Sequence, residues 1–163
     1  MNTTVPATTQ REFDLFQALH TRYRHISAER VCSGKGLENL YFAIKHVDGK
    51  EHLPNLGAED ISRMGLSGEC LMCAEALDLM LGFLGRVAGN LALTLNAYGG
   101  IYIAGGIPTK LGEAFYASRF IEEFQAKGRF QEFMTKIPTF MIQHDAIGLI
   151  GLEGCAKRQL GVF

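Results

Sequence analysis

Residues 98–107 constrain the fold of this chain most strongly, because a short apolar segment lies there between two pairs of glycines. Residues 101–104 are β-branched, aromatic and uncharged, which predicts a short strand buried on both faces. The second glycine pair, Gly105-Gly106, lies where the strand gives way to a helix, the position at which open α/β sheets bind ligands. Glycine there would let a flat group or a phosphate lie against bare backbone. The local pattern also allows a tight turn without any ligand.

Length and composition describe one globular domain and exclude several classes of function. The chain has 163 residues, 47% of them hydrophobic and 20% charged, which is enough to bury a core. Its net charge of −1 favours neither nucleic acid nor an anionic membrane surface as a partner. The first ten residues do not resemble a signal peptide, and the four cysteines are too few for a disulfide framework. We therefore expect a cytoplasmic protein.

Hydrophobic spacing predicts a helix-rich α/β fold. We expect a loose head at residues 1–10, then one domain at residues 11–163. Two strands with helices between them form a right-handed crossover, so they should be parallel. Because two strands are too few for a free-standing sheet, the sheet should be incomplete. The predicted strands are 101–104 and 137–143, and the predicted helices are 11–23, 27–31, 37–47, 58–66, 68–96, 111–124, 129–135 and 146–160.

Several motifs of common enzymes are absent, and the remaining patterns have structural explanations. No Walker loop is present, since Gly34-Lys35 is followed by glycine and not by Ser or Thr. Cys70 and Cys73 have the spacing of half a zinc site, but no second pair follows, so packing at a helix start is the simpler interpretation. We predict that Gly85 and the glycine four residues later allow close helix packing.

Glu29 is the sharpest candidate for a binding role outside the glycine turn. It lies in the first turn of a short predicted helix that Ser27 would cap. An acidic residue there stabilises the helix by about 0.3–1 kcal/mol, which explains its presence without any ligand. The alternative is that the carboxylate accepts hydrogen bonds from two neighbouring sugar hydroxyls, and such a site rejects analogues that lack a hydroxyl. The residue pattern alone favours the structural role.

Taken together, these residues resemble the C-terminal half of bacterial-type glucokinases, in the actin-like, hexokinase-like sugar kinase superfamily. The resemblance implies the helix-rich C-terminal lobe of an actin-like (ribonuclease H-like) ATPase fold. Its blocks follow the family's order over nearly the whole chain after about residue 10. They are His-Ile-Ser-Ala-Glu-Arg-Val-Cys-Ser-Gly at 25–34 with 36–37 and 39–41, Gly-Arg at 85–86 with 89–93, Gly-Gly-Ile-Tyr-Ile-Ala-Gly-Gly-Ile at 99–107, Lys-Gly-Arg-Phe at 127–130, and His144-Asp145 with 148–149 and 151.

The resemblance implies an enzyme that transfers the γ-phosphoryl group of ATP to the 6-hydroxyl of glucose, with Mg²⁺ as cofactor. It places the sugar-contacting carboxylate on Glu29 and the adenosine-binding glycines on Gly105 and Gly106. Ser33 and Gly34 match a turn beside the cleft and are assigned to the nucleotide. The family further implies a homodimer.

The chain also departs from the family pattern, because motifs of the N-terminal lobe are absent. These are the Asp-x-Gly-Gly-Thr and Gly-Thr-Gly phosphate loops, the Asn-Asp pair with the catalytic base, and the Glu-Gly-Gly-His sugar segment. We therefore expect one wall of a site, no catalytic residue or metal ligand, and no turnover by the isolated chain; the other lobe would complete the sheet. A non-catalytic sugar- or nucleotide-binding module is the alternative, and a redox or metal role for Cys70 and Cys73 is a third hypothesis.

Overall fold

Ten α-helices and two β-strands follow one another in the part of the chain described by the computed structural model, residues 2–144 (backbone alone at 107–109) and 146–161. A 3-10 turn, Gly128–Phe130, lies between α8 and α9. The elements are α1 (Gln10–His20), α2 (Ala28–Val31), α3 (Gly34–Val47), α4 (Ala58–Ser67), α5 (Leu71–Leu95), β1 (Ile101–Ile103), α6 (Gly106–Leu111), α7 (Glu113–Tyr116), α8 (Phe120–Gln125), α9 (Gln131–Met134), β2 (Thr139–Met141) and α10 (Ile147–Leu160).

The start of α3 differs from the sequence prediction. The sequence predicts a break at residues 33–36, between the helices at 27–31 and 37–47, but residues 34–36 form the first turn of α3. The Ser33 hydroxyl accepts a hydrogen bond from the Gly36 amide at 3.0 Å and so satisfies one amide that the helix leaves unpaired. The Cβ of any other residue at position 36 would lie 2.7 Å from the backbone carbon of Val31. The hydrogen bond from the Gly36 amide to Ser33 and the close packing of Gly36 on Val31 together outweigh the low helix propensity of Gly34 and Gly36.

Helix α5 runs through the core and packs closely on α8, so the close helix packing predicted for its glycines is confirmed. A Cβ built on Gly85 would lie 2.2 Å from the backbone oxygen of Phe120, and one on Gly89 would lie 2.4 Å from that of Phe124. Both distances are far below van der Waals contact. The two helices can therefore approach this closely only because both positions are glycine.

A buried ion cluster joins α5 to α1 and α8. Arg86, which is 5% exposed, donates to both oxygens of Glu12 at 3.0 and 3.1 Å. It also donates to both oxygens of Glu123, at 2.8 and 3.0 Å. Burial acts to raise the pKa of Glu12, but hydrogen bonds from Arg86 and Thr8 outweigh it and hold the pKa below its usual value. Such a cluster stabilises the fold only while every member is paired.

The residues before α1 are anchored, in contrast to the loose head that the sequence predicts. Thr4 forms an antiparallel bridge with Ser27, and Val5 is buried. The carbonyl of Pro6 accepts a hydrogen bond from Arg86 at 2.8 Å. A polar, threonine-rich sequence gave no sign of this attachment, because its contacts are made mostly by backbone groups. Met1 lies outside the described residues.

The two strands are parallel and adjacent, as predicted, with Tyr102 opposite Phe140. The prediction that the first strand is buried on both faces is wrong. Ile103, on one face, is buried, whereas Tyr102, on the other, is 65% exposed. Nothing else in the described part of the chain adds a strand to this sheet.

The helix predicted at residues 111–124 forms as two shorter helices, α7 and α8, and a third helix, α6, precedes them and ends at Leu111. Gly112 has φ +53°, a left-handed conformation that ends α6, and α7 and α8 follow after it. The closing helix α10 forms where it was predicted, but it has no buried residue. No helix within the described ranges is both long and apolar enough to span a bilayer.

Candidate functional site

The turn after β1 presents bare backbone to an open space. Gly105 has φ +135° and ψ 161°, a conformation that residues with a side chain rarely adopt. A Cβ on Gly106 would meet nothing within 4 Å. The fold therefore requires glycine at position 105, whereas the space beside position 106 can accept an approaching group.

A cavity of about 200 Å³ brings the four predicted nucleotide-binding residues together. Ser33 and Gly34 come from the start of α3, and Gly105 and Gly106 from the turn after β1. These two pairs are about 70 residues apart in sequence. The rest of the lining is apolar or a thiol: Cys32, Met80, Leu84, Ile103 and Ala104.

A larger cavity of about 600 Å³ shares Gly34 and Gly106 with the first. Its volume lies within the range of small-molecule and cofactor sites. Glu59 of α4 and Lys110 of α6, both exposed, form an ion pair at 3.3 Å on its lining. The sequence predicts the helix at 58–66, but it gives no sign that this helix lines a cavity. Its remaining lining residues are Ala58, Ser62, Arg63, Leu66 and Leu111.

Ser33 shapes the turn between α2 and α3. Its hydroxyl donates to the carbonyl of Glu29 at 2.7 Å and accepts from the Gly36 amide. Both partners are backbone groups of the flanking helices. The side chain therefore fixes the corner that carries Gly34 into both cavities.

Glu29 lies in the first turn of α2, as predicted, and its side chain is exposed. It lines neither of the two cavities. Ser27 precedes α2 in an extended conformation, but its side chain makes no capping hydrogen bond. The side chain of Glu29, the predicted sugar residue, therefore lies outside the cavity that the predicted nucleotide residues line. Its backbone carbonyl is nevertheless bonded to the hydroxyl of Ser33, which is one of those residues.

The cysteines of the predicted half zinc site are part of a helix start. The Cys70 sulfur accepts a hydrogen bond from the Cys73 amide at 3.4 Å and so caps α5. Cys73 is buried, and burial together with Cys70 raises its pKa to about 12, so the thiol stays protonated at neutral pH. Among residues 2–144 and 146–161, no three His, Cys, Asp or Glu side chains form a group that could hold a metal ion. Asp145, part of one matching block, lies outside the described residues.

The fold is that of a sugar kinase lobe. A solved glucokinase from an Antarctic psychrotroph superposes on 94% of this chain with a TM-score of 0.85 and 34% sequence identity, and 48% of that protein is covered. The glucokinase family model matches residues 2–159, so the chain belongs to the glucokinase family. The resemblance seen in the sequence is thereby confirmed.

Curated relatives agree with this assignment. The glucokinase of Paramagnetospirillum magneticum is 44% identical over 152 residues, which are 93% of this chain and 47% of the relative. The glucokinase of Aromatoleum aromaticum is 46% identical over 148 residues, which are 91% of this chain and 44% of the relative. The chain therefore spans just under half the length of the curated relatives it matches.

Proposed function

We propose that this chain forms the nucleotide-binding wall, and one side of the sugar site, of a cytoplasmic glucokinase. The proposed reaction transfers the γ-phosphoryl group of ATP to the 6-hydroxyl of glucose. The observation that carries the proposal is that Ser33, Gly34, Gly105 and Gly106 meet on one cavity. Family membership supports the same assignment.

In this proposal the glycine turn receives the nucleoside. Bare backbone at Gly105 and Gly106 allows a flat base or a ribose to lie closer than any side chain would permit. Ser33 acts indirectly, because its hydroxyl is engaged with backbone on both sides and holds Gly34 in place. Because the two cavities share Gly34 and Gly106, their combined space has room for a ligand larger than a base.

Glu29 would orient the sugar. A carboxylate accepts hydrogen bonds from two hydroxyls at once, and charged acceptors give stronger hydrogen bonds than neutral ones. Phosphoryl transfer depends on positioning and on neutralisation of charge on the phosphates. We assign neither the catalytic base nor a step involving Mg²⁺ to residues of this chain, because the family's Asn-Asp pair and its two phosphate loops do not occur in this sequence. We therefore propose that the isolated chain does not turn over.

Replacing Gly106 by alanine should weaken ATP binding without altering the fold. A methyl group there meets no protein atom, but it occupies the space proposed for the nucleoside. We expect the Kd for ATP, measured by isothermal titration calorimetry, to rise about tenfold, which corresponds to about 1.4 kcal/mol of binding free energy. The melting temperature should stay within about 1 °C.

Gly99→Ala is the matched control, since position 99 precedes β1 and is equally open. An equal effect of both substitutions on ATP binding would contradict the placement of the nucleoside at Gly106. The nucleotide assignment itself would be contradicted if ATP bound neither to the parent chain nor to a chimera in which this chain replaces the matched part of the Paramagnetospirillum magneticum glucokinase.

Replacing Glu29 by glutamine should lower kcat/KM for glucose. The assay uses a chimera in which this chain replaces the matched part of the Paramagnetospirillum magneticum glucokinase. Losing a charged hydrogen-bond acceptor costs about 1.5–3 kcal/mol, so we expect a fall of roughly tenfold to more than a hundredfold in a coupled glucose-phosphorylation assay.

Glu132→Gln is the control for this experiment, because Glu132 is also an exposed acidic residue in the first turn of a short helix. If both variants match the parent, Glu29 has only a helix-stabilising role. A folded chimera that fails to phosphorylate glucose would favour the non-catalytic binding module.

A further inference from the structure

Two thiols share the first turn of α5. Cys70 is the N-cap of this helix, and Cys73 lies three residues further on, on the same side of the turn. The Cys73 amide donates to the Cys70 sulfur at 3.4 Å, and the two side chains are also hydrogen-bonded to each other. Residues three apart on a helix have Cβ atoms about 5–6 Å apart, whereas a disulfide needs about 3.5–4.5 Å. The pair can therefore close to a disulfide with a shift of about 1–2 Å.

The two thiols differ in their access to solvent. Cys70 is half-buried, and its neighbours Glu69 and Leu71 are exposed, so a small disulfide can reach its sulfur. Cys73 is buried, and burial raises the pKa of its thiol to about 12. Because the thiolate is the attacking form of cysteine, Cys73 cannot start an exchange while it is buried and protonated. Redox-active Cys-x-x-Cys pairs present an accessible thiol at a helix N-terminus, which is the position of Cys70.

Both cysteines hold the end of α4 against α5. The Cys70 amide donates to the carbonyl of Met64 at 3.3 Å. A Cβ on Gly65 would lie 2.9 Å from the carbonyl oxygen of Cys73, so the two helices are in close contact there. Helix α4 also supplies one wall of the cavity of about 600 Å³. A shift of either cysteine is therefore transmitted to α4 and to that wall.

We propose that Cys70 and Cys73 are a redox switch, in which a small disulfide of the glutathione type oxidises them to an intramolecular disulfide that loosens α4. The Cys70 thiolate attacks one sulfur of oxidised glutathione, its S–S bond breaks, and the first glutathione leaves as a thiolate. When the end of α5 opens, Cys73 loses its proton to water and attacks the Cys70 sulfur, which expels the second glutathione. The cysteines lose two electrons and two protons, and both glutathione thiols are formed from them.

Oxidation of the reduced chain by oxidised glutathione, followed by non-reducing peptide mass spectrometry, tests this proposal without nucleotide or glucose. We expect the peptide with Cys70 and Cys73 to lose two hydrogens. Less than about a tenth of Cys70 should remain as a mixed disulfide, because a neighbouring thiol acts at a high effective concentration. Cys155 is exposed on α10 and has no cysteine three residues away in the sequence, so it should retain its glutathione.

Hydrogen exchange of the oxidised and reduced chains measures the effect on α4. Closing the disulfide displaces Cys70, whose amide is bonded to α4, or Cys73, whose backbone is packed on it. We expect the amides of α4 to exchange about three- to tenfold faster after oxidation, since a lost contact eases local opening. Amides of α8, which packs farther along α5 at Gly85, should be unchanged.

Two serine substitutions make the test specific. Cys70→Ser removes the attacking thiol but supplies a residue that caps helices well, so the fold should be kept. In this variant α4 should exchange at the same rate with and without oxidised glutathione. Cys155→Ser is the matched control at a cysteine outside the pair, and it should form the disulfide and loosen α4 as the parent does.

Several results would overturn the proposal. They are an unreacted Cys70, a mixed disulfide that persists on Cys70, and a disulfide that leaves the exchange of α4 unchanged. Equal loosening of α4 in Cys70→Ser would assign the effect to another thiol and would also contradict it. The inference rests on the contacts of the two cysteines, so a chain that binds neither ATP nor glucose would contradict the proposed function alone.

Discussion

Replacing Gly85 by alanine should destabilise the chain by about 3 kcal/mol or more, because overpacking against backbone is costly. The added methyl carbon would lie 2.2 Å from the carbonyl oxygen of Phe120 and 2.9 Å from its carbon. These are main-chain atoms of α8, so relief requires the two helices to separate along their contact. Urea unfolding followed by circular dichroism measures the loss as a lower midpoint.

Gly82→Ala is the matched control one helical turn earlier. Its methyl group would lie 3.6 Å from the Cγ of Glu123, an ordinary van der Waals contact. Alanine also favours the helix by up to about 1 kcal/mol. We therefore expect unchanged or slightly higher stability. If Gly85→Ala behaved like Gly82→Ala, the close α5–α8 contact would not be a determinant of the fold.

Replacing Arg86 by methionine should cost about 3–5 kcal/mol, the range for breaking a buried ion pair by removing one partner. Methionine keeps most of the side chain's length, so the chief change is the loss of the guanidinium. Glu12 and Glu123 would then face each other's negative charge without the cation between them, and the carbonyl of Pro6 would lose its donor. Thermal and urea unfolding should both report the loss.

The acid sensitivity of the parent chain should also depend on Arg86. The pKa of Glu12 is lower in the folded chain than its ordinary value of 4.5. A group of this kind contributes stability that is complete above the unfolded pKa and is lost as the pH falls through the folded pKa. The parent should therefore lose stability below about pH 4.5, and Arg86→Met should lose less over the same interval.

Lys136→Met serves as the comparison for the ion pair. Lys136 and Glu132 form a pair at 3.0 Å in which both side chains are mostly exposed. Exposed pairs contribute little to stability. A loss as large as that of Arg86→Met would show that removal of any positive charge, and not the buried cluster, explains the result.

Most of the fold could be predicted from the sequence because its signals are local. The parallel strands followed from the order of strands and helices, and the close contact at Gly85 and Gly89 followed from glycines in an apolar helix. The start of α3 was missed because the Ser33 cap and the packing of Gly36 depend on neighbours in space. The exposure of Tyr102 was missed because a hydrophobic pattern shows that a side chain favours burial, but it does not show whether another element packs against that side chain.

Less of the candidate site than of the fold could be predicted from the sequence. The glycine turn was evident from its position after a strand, and Ser33 and Gly34 were assigned only through the family resemblance. The wall formed by α4 could not be found, because Glu59 and Gly106 come to line one cavity only through tertiary packing. The role of Glu29 at the sugar stays a prediction.

The anchored residues before α1 determine how this domain can be attached to anything else. Thr4, Val5 and Pro6 are held by a bridge, by burial and by a buried guanidinium, so they cannot behave as a flexible linker. Any polypeptide joined ahead of Asn2 would leave the domain within a few residues of this attachment. Because Thr4 pairs with Ser27, two residues before Glu29, the attachment lies next to the helix that carries the carboxylate.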